Sequence, residues 1–398
     1  MAAFLVACLA ARGGFLSSAD PGDVGRYHDF ASRMADGGLP YRSFYMEYPP
    51  GAIPAFLAAR VAGDAHYNLA FKLEVAIAGL ALVVALVAVL NRLARDPVRD
   101  WLTLGLFAVS PVALGAVVLN RYDLWPALLV VVALWALLAG RDRLTFGVLA
   151  AGCAVKVFPA VIVPVAALHV YRTRGARALG ADLLAFAIVS LVLWGPFALV
   201  APGGLGYSVK TQTIRSLQLE SLASSALLAL DKIGLYAADI VPGKPGSIDL
   251  SGALPDALGV VTSVVLLGAL ALVVLAYRRA DESDELLVAG FAASVAAFVA
   301  FSKVISPQFL VWLVPLVPLV ARPLGRIGAA LMLAAVVTTQ VEVVYEHPLR
   351  AVGWPVWVLA ARNAILVSLF VVLLAAVLRG SRRGAREASM DTAAQPDL

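Results

Sequence analysis

The residue best suited to chemistry is Asp23, in a polar segment near the start of a very hydrophobic chain. The segment opens with helix-start features, namely Ser18 or Asp20 as the cap and Pro21 in the first turn. A helix dipole favours a carboxylate near its amino end, so Asp23 is suited to act as a general base. The alternative is an ordinary helix cap or a solvated acid. Tyr27 follows about one turn later on the same helix.

An aromatic, proline-punctuated loop follows this helix, which Gly37 and Gly38 are expected to end. The loop contains Glu47 and Tyr48 directly before a double proline, a composition typical of a rigid loop on an apolar surface. Glu47 is suited to contact a sugar hydroxyl, and the alternative is an ion pair with Arg42. A polar helix and an acidic aromatic loop together indicate a site at a membrane face.

Two lysines occur in similar surroundings. Lys156 and Lys303 each close an apolar run and precede a proline, in KVFP and KVISP. A lysine beside the amino end of a helix is suited to bind phosphate, because its ammonium group and the exposed backbone N–H groups converge. The alternative is snorkelling of the side chain to the interface. Two such elements in one chain favour the phosphate interpretation.

Further polar residues are predicted on the same side of the membrane. Ionisable groups are costly to bury at membrane depth, so several of them together indicate a functional site. Arg215, Gln218 and Glu220 lie in IRSLQLES, and the alternative there is the solvated face of a short amphipathic helix. Arg121 and Asp123 follow an apolar run, where they are suited to bind a ligand or to form only a surface pair.

The composition indicates an integral membrane protein. Hydrophobic residues make up 61% of the 398, only 14% are charged, and the mean hydropathy is +0.88. The net charge of +5 does not require a nucleic acid partner, because arginines such as Arg141, Arg143, Arg278 and Arg279 fall in short turns between apolar runs. That placement follows the positive-inside rule and assigns those turns to the cytoplasm. Neither Cys8 nor Cys153 has neighbours at metal-ligand spacing, so neither a metal site nor a disulfide is expected.

Apolar runs and arginine-rich turns together predict an all-α protein with about twelve transmembrane helices, some short or broken, and both termini in the cytoplasm. Residues 144–171 and 286–320 have arginine at both ends, so each is expected to turn back at its polar centre. Residues 52–62 are too short to cross and are expected to lie at the interface. The predicted spans are residues 1–17, 67–93, 101–119, 124–139, the two halves of 144–171, 178–200, 257–277, the two halves of 286–320, 326–345 and 358–378.

The chain is predicted to form one membrane domain, residues 1–378. Its first outer loop is 18–66 and its second is 201–256, which is rich in Gly, Pro and Ser. The basic tail, 379–398, is expected to be disordered and cytoplasmic.

Several motifs, taken in order, resemble glycosyltransferase family 87, a GT-C type group of multispanning enzymes. The resemblance begins with Asp-x-x-x-Tyr, Gly-Gly-x-Pro-Tyr and Glu-Tyr-Pro-Pro-Gly in the first outer loop. It continues through RYDLWPAL, KVFP, RSLQLES and SKVISPQFLVWLVP, and so covers nearly the whole chain.

The resemblance implies a sugar transfer from a polyprenyl-phosphate donor to an envelope glycolipid or glycan, on the outer face, with inversion and without a metal ion. It implies that Asp23 is the catalytic base, and we expect Lys303, Lys156 and Arg215 to bind the donor phosphate. Mannose is the first expectation for the sugar, and a pentose of the arabinose type is the alternative, since Gln308 follows the late Ser-Pro where many mannosyltransferase relatives carry histidine. The residues expected to contact substrate are Tyr27, Glu47, Tyr48, Arg121, Asp123, Gln218, Glu220 and Gln308.

A transporter or lipid flippase is the competing interpretation. The two proline-interrupted lysine elements, one in each half of the chain, resemble the broken helices of transporters. Against it, the richest polar cluster lies in a loop outside the predicted spans. A catalytically silent assembly partner with the same fold is a third possibility.

Overall fold

The computed structural model describes residues 1–10, 22–243, 247–349 and 353–393, and within them the chain is almost entirely helical. This confirms the predicted all-α multispanning architecture. The α-helices are α1 (Ala2–Ala10), α2 (Val24–Ala35), α3 (Ile53–Arg60), α4 (Tyr67–Leu90), α5 (Pro97–Leu114), α6 (Leu124–Leu138), α7 (Asp142–Val155), α8 (Val163–Val200), α9 (Pro202–Thr213), α10 (Leu222–Lys232), α11 (Ala253–Arg279), α12 (Asp284–Phe301), α13 (Leu310–Leu313), α14 (Leu324–Leu349) and α15 (Pro355–Ala393). Short 3-10 helices cover Pro50–Ala52, Asp64–His66, Gly115–Val118, Phe158–Ile162, Pro307–Phe309 and Val317–Leu319.

Within these described residues, seven helical stretches are long and apolar enough to cross a membrane. They are Asp64–Leu90, Pro97–Val118, Phe158–Val200, Ala253–Arg279, Asp284–Phe301, Leu324–Val341 and Pro355–Gly380. Leu124–Leu138 and Pro307–Leu319 are shorter apolar helical stretches. The chain is therefore a multi-pass membrane protein, while the count of about twelve spans stays a prediction. Of the first predicted span, only α1 lies in the described residues.

The two predicted breaks occur where expected, but they lead into different structures. After α7, Lys156 is extended (φ −157°, ψ 137°), and Phe158–Ile162 leads into α8. In α8, Gly175 is non-helical (φ 84°, ψ 175°) and marks the predicted arginine-rich turn. After α12 the chain is extended at Ser302, but the expected second half-span is only a series of short helical turns. Three prolines explain this difference, because proline cannot donate a helical hydrogen bond; they are Pro307, Pro315 and Pro318.

The predicted second outer loop, residues 201–256, is folded where the structure describes it and departs there from the all-α prediction. Three short antiparallel strands, β1 (Leu217–Gln218), β2 (Asp239–Pro242) and β3 (Ile248–Ser251), form a sheet in the order β1-β3-β2. The strand β1 replaces the amphipathic helix considered for IRSLQLES. Its apolar side packs on Val356 and Leu359 of α15.

In the predicted first outer loop, the helix begins a few residues later than the predicted caps. The predicted caps Ser18 and Asp20 lie outside the described residues, and α2 begins at Val24 with Asp23 in the N-cap position. Gly37, with φ of 86°, follows the end of this helix, as expected of a left-handed stop. The predicted interfacial segment 52–62 contains α3.

The carboxyl-terminal tail corrects one expectation. Residues 379–398 are predicted to be disordered, whereas α15 extends through them as far as Ala393. Arginine and alanine are the most frequent residues between Arg379 and Ala393, and both are strong helix formers, which fits the continuation.

Candidate active site

Ten of the twelve predicted site residues line a single cavity of about 450 Å³. They come from α2, the aromatic loop, the turn before α6, the breaks after α7 and α12, and the segment around β1. These ten residues are Asp23, Tyr27, Glu47, Tyr48, Arg121, Lys156, Arg215, Gln218, Lys303 and Gln308. The other two, Asp123 and Glu220, do not line the cavity and hold neighbouring residues in place.

Asp23 is neither a helix cap nor a solvated acid. Its side chain makes no capping hydrogen bond and is only 14% exposed. Its Oδ2 atom pairs with the guanidinium of Arg121 and accepts a hydrogen bond from the Tyr48 hydroxyl at 3.1 Å. Both partners stabilise a negatively charged carboxylate. Both of these contacts involve Oδ2, so Oδ1 is the oxygen left to accept a proton.

Aromatic packing fixes the position of the acid and its donor. Tyr27 is almost fully buried and stacks on Phe56 of α3, with ring centroids 4.5 Å apart. Tyr48 packs edge-on against Tyr27 at 5.5 Å. Burial and the nearby Glu47 carboxylate raise the pKa of Tyr48 well above its ordinary value, so its hydroxyl stays a hydrogen-bond donor to Asp23.

Glu47 forms an ion pair, but not with the predicted partner. Its Oε1 lies 2.6 Å from Nη1 of Arg26, so the pairing with Arg42 is wrong. Arg26 also lines the cavity and was missed. Its position three residues after Asp23 on one helix was the available indication, because residues i and i+3 share a helix face.

Arg121 and Asp123 do not form the surface pair considered above. Arg121 turns to Asp23, whereas the buried Asp123 accepts hydrogen bonds from Lys156 Nζ at 2.6 Å and Trp312 Nε1 at 2.8 Å. The ammonium of Lys156 also lies 5.0 Å from the Tyr122 ring centroid. Lys156 is therefore held inside the protein and does not snorkel. Trp312 was not singled out from its motif.

Lys303 and Arg215 are the cations of this cavity for which the described residues offer no carboxylate partner. Lys303 Nζ donates to the Thr213 carbonyl oxygen, at 2.9 Å. Partial burial and the charge of Arg215 lower the pKa of Lys303. Around the cavity, Arg26, Arg121 and Lys156 each neutralise one carboxylate. Two positive charges are thus in excess, which suits an anionic group.

Glu220 lies behind this cluster and anchors the strand β1. Its carbonyl oxygen accepts hydrogen bonds from Arg362 Nη2 at 2.8 Å and Asn363 Nδ2 at 3.1 Å. Gln218, two residues earlier in the chain, donates its backbone N–H to the Lys303 carbonyl oxygen at 3.0 Å. The last helix therefore positions the segment that carries Gln218. Arg362 was missed, although an arginine inside an apolar span is itself a functional indication.

Two glutamine side chains complete the polar lining. Gln218 is 6% exposed and Gln308 is also 6% exposed. The Oε1 atoms of both are buried and have no hydrogen-bond partner in the described part of the chain. Unsatisfied buried acceptors of this kind fit a ligand that donates hydrogen bonds, such as a sugar hydroxyl.

The cavity also has an apolar side. Trp194 of α8, Leu205 and Val209 of α9, and Phe298 of α12 line it. A cavity that combines excess positive charge with apolar walls fits an amphiphile with an anionic head and a hydrocarbon tail. Among the described residues, no group of three or more His, Cys, Asp or Glu side chains is arranged to hold a metal ion.

The family comparison agrees with the motifs. The model of glycosyltransferase family 87 matches residues 45–307, which include the site residues from Glu47 to Lys303 but not Asp23, Tyr27 or Gln308. No curated protein matches the sequence. Among solved structures, the chain is similar to the crystal structure of ArnT from Cupriavidus metallidurans in the apo state, at 14% identity and a TM-score of 0.49, with 95% of this chain and 75% of that chain covered. The family model spans well over half of the chain, which therefore belongs to glycosyltransferase family 87 and is a membrane glycosyltransferase.

Proposed function

We propose that this enzyme transfers a sugar, with mannose as the first candidate, from a polyprenyl-phosphate donor to a glycolipid or glycan acceptor on the outer face of the membrane. The observation that carries the proposal is the pair of excess cations, Lys303 and Arg215, in one amphipathic cavity with the available carboxylate oxygen of Asp23. The polar end fits a phosphate and a sugar, and the apolar walls fit the start of a lipid tail.

The charge of the cavity matches the charge that develops during transfer. A polyprenyl-phosphate sugar is a phosphodiester with one negative charge, whereas the lipid phosphate that leaves carries about two at neutral pH. Lys303 and Arg215 therefore bind the leaving group more strongly as the bond to the sugar breaks, which lowers the barrier. Lys156 has a supporting role, because Asp123 already neutralises its charge.

Asp23 acts on the acceptor. Its Oδ1 takes the proton of an acceptor hydroxyl, and that oxygen forms a bond to the anomeric carbon of the donor sugar. The bond between this carbon and the phosphate oxygen breaks, and its electron pair stays on the phosphate. Attack from the opposite face inverts the anomeric configuration. Because Arg121 and Tyr48 hold Oδ2, the direction of Oδ1 is fixed.

The sugar is recognised by hydrogen bonds. Gln218 and Gln308 present acceptors that sugar hydroxyls can satisfy, and Glu47 adds a carboxylate held by Arg26. Neutral amides and a paired acid suit a neutral sugar. Both a hexose such as mannose and a pentose of the arabinose type meet this requirement, with mannose tested first. We propose that no metal ion takes part, because Lys303 and Arg215 supply the positive charge.

Purified protein should transfer radiolabelled mannose from polyprenyl phosphate to an envelope lipid extract, also in the presence of EDTA. Asp23→Asn should lower the rate by about 10²- to 10⁴-fold, the usual contribution of a general base, while donor binding persists. Asp36→Asn, at an exposed acid just after α2, is the matched control and should leave the rate unchanged. If the wild type transfers none of several sugars yet moves labelled lipid across liposomes, the transporter interpretation replaces this proposal.

A further inference from the structure

A second cavity, of about 500 Å³, lies far from the active site and is rich in arginine. It is formed by the loop between α4 and α5, the first turn of α5, the start of α12 and the segment before α14. Four of its lining side chains are arginines and two are acids. These are Arg95, Arg99, Arg322 and Arg326, with Asp96 and Glu285.

This cavity lies at the opposite ends of the spanning helices from the active site. Arg99 is in the first turn of α5, which has 18 residues and is therefore about 27 Å long. Glu285 is in the first turn of α12, whose other end leads to Lys303. Trp101 is 81% exposed next to Arg99, as is typical of an aromatic residue at the membrane interface. The cavity is thus at the height of lipid headgroups.

The charges of the cavity do not cancel. Arg322 Nε lies 2.5 Å from Asp96 Oδ2, and Arg99 Nη1 lies 2.6 Å from Glu285 Oε1. Arg95 and Arg326 have no carboxylate partner among the described residues and are exposed. Two acids thus neutralise two of the four arginines, and two positive charges remain. The buried Arg99 also keeps an Nε for which the described part of the chain offers no hydrogen-bond partner.

We propose that this cavity binds the phosphate of an anionic phospholipid headgroup. Two excess guanidinium groups at the end of membrane spans match such a phosphate in charge and in hydrogen-bond geometry. Exposed apolar side chains lie beside the arginines, Val98 at 39% and Ile327 at 47%, and give the acyl chains a surface to follow. A soluble phosphate ion would make no use of that surface. The site is independent of the sugar transfer proposed above.

The test is native mass spectrometry of the purified full-length chain with equal amounts of phosphatidylglycerol and phosphatidylcholine. The wild type should retain phosphatidylglycerol in preference. Arg95→Gln combined with Arg326→Gln should lower that preference by roughly 30-fold, the effect of two arginines at a headgroup. Arg92→Gln combined with Arg278→Gln is the matched control. It removes the same charge from two exposed arginines outside the cavity, at the ends of α4 and α11, and should change the preference little.

Three outcomes would overturn the assignment. One is equal retention of both lipids by the wild type, and another is equal loss of preference in the two double variants. The third is displacement of phosphatidylglycerol by inorganic phosphate at low concentration, which would assign the site to a free anion. Size-exclusion profiles should match the wild type, so that a failure to fold is recognised separately.

Discussion

At the scale of single residues, ion pairing decides which groups of the cavity remain available to a substrate. Asp23, Glu47 and Asp123 each have a cation of their own, and these pairs are formed inside the protein. Among the described cations of the cavity, Lys303 and Arg215 have no carboxylate partner and keep their charge for a ligand. Because a buried pair of opposite charges contributes little net attraction for a further ion, the two remaining cations should dominate phosphate binding.

The lowered pKa of Lys303 predicts a pH dependence of donor binding. Partial burial and Arg215 lower this pKa, and phosphate attraction requires the protonated amine. Affinity for the donor should therefore be complete below that pKa and fall as the pH rises through it, at a lower pH than for an ordinary lysine. Lys303→Arg should remove this alkaline decline, since guanidinium stays charged.

Donor affinity measured against pH, by titration with polyprenyl-phosphate sugar, checks the prediction. Lys303→Gln should weaken binding by roughly 10- to 100-fold at neutral pH, the cost of a lost charged hydrogen bond. Lys210→Arg, at an exposed position on α9, should keep the wild-type profile. An unchanged alkaline decline in Lys303→Arg would assign the decline to another group.

The sequence indicated which residues line the cavity better than it indicated their partners. Ten of twelve residues line the cavity, because polar groups in a membrane protein are few and tend to converge. The partner of Glu47 was wrong, since the aromatic loop turns Glu47 towards α2 and away from Arg42. Arg121 and Asp123 are neighbours in sequence, yet they point to different partners. The spacing of residues along the sequence cannot show in which direction each side chain points.

At the scale of elements, close backbone contact links the first outer loop to the break after α7. A Cβ atom on Gly51 would lie 2.6 Å from the carbonyl carbon of Ala154 and 2.8 Å from the nitrogen of Val155. Only glycine permits this approach, which places the Glu47 and Tyr48 loop beside Lys156. Two motifs that are far apart in sequence thus form one wall of the site.

Gly51→Ala should therefore separate these two elements. The obstructing atoms belong to the backbone, which cannot move aside as a side chain can, and overpacking of this kind costs about 1–3 kcal/mol. We expect a lower Tm and a lower transfer rate. Gly105→Ala on α5, where no atom lies within 4 Å of the new methyl group, is the control and should keep or slightly raise the Tm. Equal Tm values for both variants would contradict the packing argument.

Element prediction succeeded where the cause is local and failed where it is not. Proline and polar residues predicted the breaks after α7 and α12. The strand β1 was missed because its partner β3 lies in a different part of the second loop, so no local alternation reveals the pairing. The helical tail was missed because its basic, polar composition obscured its helix propensity.

At the scale of the whole molecule, the two cavities lie at opposite ends of the spanning helices. The arginine-rich turns share the end of the second cavity, and by the positive-inside rule we expect that end to face the cytoplasm. This orientation stays a prediction. The number of membrane crossings was harder to predict, because composition does not show whether a short or broken helix crosses the membrane.

Single cysteines test this orientation in a background that replaces Cys8 and Cys153 with alanine. Asp36→Cys, at the exposed end of α2, should react with a membrane-impermeant maleimide on intact cells. Asp281→Cys, exposed between α11 and α12, should react only after permeabilisation. The reverse pattern would place the active site in the cytoplasm.

The two unpaired cations that face the donor also set a limit on turnover. In the proposed reaction they bind a phosphate that gains negative charge, so the spent lipid carrier would be held more tightly than the donor was. We therefore expect this carrier to dissociate more slowly than the donor, and carrier that accumulates in the membrane to compete with fresh donor. The rate of envelope synthesis by this enzyme would thus depend on how quickly the cell recycles its lipid phosphate.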